Sequence, residues 1–215
     1  MQFKPAGLFA VVAAITISFA RPGMAADPLK LVVLGDSLVA GYELAAGQDY
    51  PAQLDKALNE AGYDVTITNA GVSGDTTSGG LARIDWSIPE GTDGVLLELG
   101  ANDALRGISP DKTKENLEAM VKRLSERHIP VMLMGMMAPP NMGDAYAAAF
   151  NGIYEGLATA QGLPLYPFFL DGVTTHADLQ LSDGMHPNAD GVKIMVEKSL
   201  PAVEAFLATI GGQQK

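Results

Sequence analysis

Leu31-Val32-Val33-Leu34-Gly35-Asp36-Ser37 is the stretch on which the fold turns. Its four apolar residues are too few for a helix, and they run continuously instead of alternating with polar ones. A run of that kind is a strand buried on both faces, as in a parallel sheet. Gly35 closes it and the polar pair Asp36-Ser37 follows, so the chain leaves the strand in a loop.

The same pattern recurs outward from this point. Residues 50–61 carry Leu54, Ala57, Leu58 and Ala61 at helical spacing and stop at Gly62. Val65-Thr66-Ile67-Thr68 is β-branched throughout and reads as the second strand. A polar, glycine-rich loop is expected over 69–80 and a short helix over 81–88. Residues 94–99 form the third strand, with a loop over 100–103. The clearest helix is 111–127, with Leu117, Met120, Val121 and Leu124 on one face. A fourth strand over 130–136, a proline-rich loop over 138–143, a helix over 145–161, a short fifth strand over 163–168 and a final helix over 190–210 complete the chain. Strictly alternating strands and helices predict an α/β fold, a three-layer sandwich around a central five-stranded parallel sheet.

With 215 residues, 47% of them apolar and 18% charged, the chain suits one ordered domain. Residues 1–25 read as a signal peptide. Lys4 precedes an apolar run over 8–20, and Gly23-Met24-Ala25 supplies small residues at a cleavage site. That run is shorter than the roughly 20 residues needed to span a bilayer. The expectation is therefore an exported domain over 26–215, periplasmic or secreted, with no stable membrane anchor. Cysteine is absent, which excludes disulfides, thiolate metal sites and a cysteine nucleophile. Loss of Lys4 and Arg21 with the leader would take the formal charge from −11 to near −13, a balance that disfavours nucleic acid.

In open parallel sheets, ligands bind beyond the carboxyl ends of the strands. Three loops leaving strand ends here are polar: Gly35-Asp36-Ser37, residues 71–75 and Gly100-Ala101-Asn102-Asp103. A fourth, Asp183-Gly184-Met185-His186, precedes the last helix. Their contents match what serine-mediated ester cleavage needs: a hydroxyl, a base within reach of it, a group to fix the base, and donors for the oxyanion. Ser37 supplies the hydroxyl, although a serine after a strand is more often a helix cap. Of three histidines, His128 ends a long helix and His176 lies in a patternless loop, whereas His186 follows Asp183 by three residues. Asn102 can donate a side-chain N–H and Gly74 a backbone N–H, although each also suits an ordinary turn. Asp36, Asp75 and Asp103 read as turn-formers and supporting hydrogen bonders. Three scattered histidines and no His-Glu-x-x-His give no catalytic metal site, and no phosphate-binding glycine motif follows the first strand; no cofactor is expected.

The four blocks together resemble the SGNH, or GDSL, hydrolases, whose name lists a serine, a glycine, an asparagine and a histidine. They are Val33-Leu34-Gly35-Asp36-Ser37-Leu38, Asn69-Ala70-Gly71-Val72-Ser73-Gly74-Asp75-Thr76, Leu99-Gly100-Ala101-Asn102-Asp103 and Asp183-Gly184-Met185-His186-Pro187. The likeness spans nearly all of the chain after the leader. Glu98-Leu99-Gly100-Ala101-Asn102-Asp103-Ala104-Leu105-Arg106-Gly107 and Leu165-Tyr166-Pro167-Phe168-Phe169 are most similar to the bacterial branch of acyl-CoA thioesterase I, lysophospholipase L1 and arylesterase. The resemblance implies a flavodoxin-like sheet with Ser37 as nucleophile, His186 as base and Asp183 as its orienter. It implies an oxyanion hole from the Ser37 N–H, the Gly74 N–H and the Asn102 side chain. It also implies that Met137, Ala138 and Pro139 border the substrate, where a larger aliphatic residue often replaces Ala138. The partner would be a small-molecule or lipid acyl ester, acted on by a monomer or weak dimer. Two alternatives stand beside this: a carbohydrate O-deacetylase of the same family, and a non-enzymatic exported domain that binds a small ligand.

Overall fold

The computed structural model describes residues 1–2 and 27–214. The leader expected over 1–25 lies, but for its first two residues, outside the described residues.

Five strands form one sheet: β1 (Leu29–Gly35), β2 (Val65–Gly71), β3 (Gly94–Leu97), β4 (Val131–Met134) and β5 (Leu165–Tyr166). Their order is β2-β1-β3-β4-β5, and every pairing is parallel. β1 lies inside the sheet, with Leu31 opposite Ile67 on one side and Gly94 on the other. Its residues Leu31 to Leu34 are buried, as their unbroken apolar run requires. Helices α1 (Ser37–Ala40), α2 (Tyr50–Glu60), α3 (Thr77–Ser87), α4 (Ala101–Leu105), α5 (Pro110–Glu126), α6 (Asp144–Gln161) and α7 (Ala189–Thr209) fill the connections. α2 packs on α7 in one layer, while α5 packs on α3 and α6 in the other. The three-layer sandwich is the one expected. Among the described residues, no helix is long and apolar enough to cross a membrane.

The chain steps from β1 outward to β2 and then crosses back past β1 to β3, so the strand order reverses and a crevice opens between the carboxyl ends of β1 and β3. Ser37 follows one of these strands and Asn102 the other. The topology therefore sets both at the same edge.

Several boundaries depart from the expectation; β3 ends at Leu97 and β4 at Met134, short of residues 99 and 136. The loop foreseen over 69–80 is shorter, because β2 runs to Gly71 and α3 begins at Thr77. Two glycines thus sit in the first turn of α3, against their weak helix propensity. Packing requires one of them: a Cβ at Gly80 would stand 2.1 Å from Leu99 Cδ1. The loop foreseen over 100–103 is mostly the short helix α4, which Gly100 enters at φ +129°. The fifth strand shrinks to two residues, since Pro164 and Pro167 flank it and neither can donate to a ladder.

Candidate active site

Ser37 is the first residue of α1, and Asp36, not Ser37, is its cap: the Asp36 carboxylate accepts the Leu38 N–H at 3.0 Å. The serine is thereby released from capping, and its Oγ lies 2.9 Å from His186 Nε2. On the other side of the ring, His186 Nδ1 lies 2.6 Å from Asp183 Oδ2. A histidine held in this way carries its proton on Nδ1 and presents Nε2 to the serine as an acceptor. Asp183 is fixed in turn, since its Oδ1 accepts the backbone N–H groups of His186 at 3.0 Å and Met185 at 2.9 Å. The His186 N–H is the main cause holding the Asp183 carboxyl down at about 2, with the Met185 N–H and the imidazole adding to it against partial burial. Asp183 is therefore ionised across the working range. The three-residue spacing serves this geometry, because Gly184 turns the chain at φ +68°.

Asn102 is the second residue of α4 and gives one Nδ2–H to Asp36 Oδ2 at 3.0 Å. A primary amide has two N–H groups, so one remains for the groove. Gly74 turns at φ +82°, and its carbonyl accepts from the Arg106 guanidinium at 2.7 Å. Ser37, Gly74 and Asn102 all line one groove of about 730 Å³. Met136, Met137, Ala138, Pro139, Pro140 and Phe168 form much of its apolar wall. Met137, Ala138 and Pro139, expected from the sequence beside the substrate, line the same groove as Ser37. Met136, at the end of the expected fourth strand, lines the groove as well. Trp86 stands on α3, largely exposed, and is not among the lining residues, so it offers no platform for a sugar there.

Beneath the groove lies a layer of buried polar groups. Asp36 is wholly buried, and burial pushes its carboxyl up to about 6 against the opposing pull of the Leu38 N–H and Asn102. Glu98 is also wholly buried; its Oε2 accepts the Asp36 N–H at 3.2 Å, while Oε1 has no partner. Burial first, and the Asp36 charge second, raise its carboxyl well above the usual range. Asp103 accepts the Thr77 N–H at 2.8 Å and the Thr113 hydroxyl at 3.2 Å, tying α4 to α3 and α5. Asp75 pairs with Arg83 Nε at 2.6 Å. Arg83 also donates to the carbonyls of Ala70 and Gly35, each at 2.8 Å, and so clamps the ends of β1 and β2 together. The three aspartates act as supports, as read from the sequence.

Arg83, Glu98 and Tyr42 were not assigned a role from the sequence. Arg83 carried a signal, being one arginine on the small, buried face Gly80, Ile84 and Ser87 of α3. Glu98 ends an apolar run, where a charge is out of place. Tyr42 had none; its ring lies 4.5 Å from the His186 ring, centroid to centroid, tilted by 35°. His128 and His176 are exposed, in keeping with their surface reading.

Residues 33–194 match the GDSL-like lipase/acylhydrolase family. The chain is 44% identical over 162 residues to an arylesterase of Vibrio mimicus, covering 75% of this chain and 81% of that protein. It is 38% identical over 161 residues to thioesterase 1/protease 1/lysophospholipase L1 of Escherichia coli strain K12, covering 74% and 76%. The crystal structure of AlinE4, an SGNH-hydrolase family esterase, superposes with a TM-score of 0.72 at 44% identity, over 86% of this chain and 99% of that one.

Proposed function

The chain belongs to the GDSL-like lipase/acylhydrolase family and is a carboxylic ester hydrolase, and on that premise we propose that Ser37, His186 and Asp183 carry out the reaction. Ser37 Oγ attacks the acyl carbon while His186 Nε2 takes its proton. The oxyanion that forms on the former carbonyl accepts hydrogen bonds from the Ser37 N–H, the Gly74 N–H and the free Asn102 Nδ2–H. The imidazolium, steadied by the ionised Asp183, returns the proton to the leaving oxygen or sulfur. The alcohol or thiol departs and an acyl ester remains on Ser37. Water then attacks with His186 again as base, and collapse releases the acid and restores the serine.

The observation that carries this reading is the unbroken chain of contacts from Asp183 through His186 to Ser37, at 2.6 and 2.9 Å. Acyl groups of esters and thioesters would lie along the wall of Met136, Met137, Ala138 and Pro139. A monomer or weak dimer belongs to the same reading. Export behind the leader read at 1–25 belongs to the same proposal. A fluorophosphonate should label the purified protein at Ser37, with labelling lost in Ser37→Ala. Labelling that survives the substitution would overturn the assignment.

A further inference from the structure

The helix that carries Asn102, α4, has five residues, about one and a half turns. A helix that short has too few internal hydrogen bonds to hold itself, so its place is set by what it is tied to. That place matters, because a donor aimed at an oxyanion loses much of its effect when it moves by about 1 Å. Asp36 holds one N–H of the Asn102 amide at 3.0 Å. A single hydrogen bond at the tip of a side chain does not fix the backbone behind it.

Ties at both ends of α4 come from one other helix. α6 carries Tyr146, Phe150 and Tyr154 at four-residue intervals, so the three rings share a face. Tyr146 and Phe150 stack with centroids 5.9 Å apart, and Phe150 meets Tyr154 edge-on at 6.1 Å. Phe150 and Tyr154 are buried. Just ahead of α4, the Tyr154 hydroxyl donates to the Leu99 carbonyl at 2.7 Å. Just beyond α4, the Tyr146 hydroxyl donates to the Ile108 carbonyl at 2.7 Å, and the Ile108 N–H returns to the Asp103 carbonyl at 2.9 Å. Gly100 is fitted to the first contact: a Cβ there would stand 2.1 Å from Tyr154 Oη and 3.5 Å from Phe150 Cζ. Neither tyrosine is among the residues lining the groove.

We propose that Tyr154 and Tyr146 are positioning residues for the oxyanion hole, their hydroxyls pinning α4 at both ends and so fixing where Asn102 presents its free Nδ2–H. The proposal rests on the assignment of Asn102 above. Without the Tyr154 hydroxyl, the buried Leu99 carbonyl loses a donor, and the backbone entering α4 shifts toward another partner. The effect on the reaction then runs through Asn102.

The test is steady-state hydrolysis of phenyl butyrate by variants shown to be folded by circular dichroism. Tyr154→Phe should lower kcat about tenfold with KM little changed, a smaller loss than that of Asn102→Ala. Added to Asn102→Ala, it should cost less than about threefold. Tyr50→Phe is the control, since it also removes a buried tyrosine hydroxyl that bridges two helices, α2 and α7, at 2.8 Å from Ser199 Oγ. It should lower the melting temperature and leave kcat within about twofold. If Tyr154→Phe does not fold, Tyr146→Phe makes the same comparison from the half-buried end of the brace, with a kcat loss of about threefold to tenfold that likewise vanishes beside Asn102→Ala. A kcat loss no larger than that of Tyr50→Phe, or an equal loss with and without Asn102, would overturn the brace and leave the oxyanion assignment standing. An Asn102→Ala variant that keeps full kcat would overturn the two together.

Discussion

Asp36→Asn tests how the oxyanion hole is built. The Asp36 carboxylate accepts twice: Oδ1 from the Leu38 N–H and Oδ2 from Asn102 Nδ2, each at 3.0 Å. An asparagine has one acceptor oxygen. If that oxygen stays with Leu38, its NH2 faces the NH2 of Asn102 and the two donors repel. Asn102 must then rotate, either swinging away or turning its oxygen toward position 36, and the second Nδ2–H leaves the place where the oxyanion forms. Loss of one such donor costs about a hundredfold to a thousandfold in kcat, or about 3–4 kcal/mol of transition-state stabilisation. KM should change little, because the donor is used only once the charge develops. The assay is steady-state hydrolysis of a phenyl ester by wild type, Asp36→Asn, Asn102→Ala and the double variant, with circular dichroism confirming that each is folded. If Asp36 acts through Asn102, adding Asp36→Asn to Asn102→Ala should cost less than about threefold. A single-variant loss below about tenfold, or an equal loss in both backgrounds, would refute the reasoning.

Three further outcomes follow from the same geometry. Asp183→Asn should lower kcat by about three to four orders of magnitude, because the neutral amide cannot hold the His186 tautomer or steady the imidazolium. Since hydrogen bonding holds the Asp183 carboxyl at about 2, its stabilising contribution is present above the ordinary aspartate range and is lost as pH falls toward 2. Urea midpoints should show wild type losing this increment on acidification, and Asp183→Asn should lack it. Glu98→Gln should keep kcat/KM within about threefold at pH 7, because the amide matches the carboxyl in shape and its oxygen still accepts the Asp36 N–H. Wild-type stability should fall as pH rises from the ordinary glutamate range, where the unfolded chain releases this proton, up through the raised titration of Glu98 in the fold; a thermal-melt series in which Glu98→Gln keeps that decline would contradict this. Gly100→Ala places a Cβ 2.1 Å from Tyr154 Oη at φ +129°, so chemical denaturation should show a loss of at least about 2 kcal/mol.

The backbone of the fold was legible because burial writes itself into residue type. A strand covered on both faces must be apolar throughout, so Leu31 to Leu34 announced β1, and Leu117, Met120, Val121 and Leu124 announced α5. Boundaries were less legible where packing overrode propensity. Gly79 and Gly80 look like loop, yet α3 begins before them because Asp103 holds the Thr77 N–H and Leu99 leaves no space for a side chain at Gly80.

The sequence by itself determined the order of strands and helices, the chemical kinds at the site, and the local Asp183–His186 pair, because each depends on neighbours close along the chain. Tertiary structure alone decided that His186 Nε2 meets a serine 149 positions away. It decided that Glu98 lies buried behind Asp36, and that Tyr42 covers the imidazole. Those contacts depend on which strand ends the sheet order makes adjacent, and on water being excluded from between them. Neither can be read from a run of residues, since desolvation and proximity arise only when segments distant in the chain are packed together.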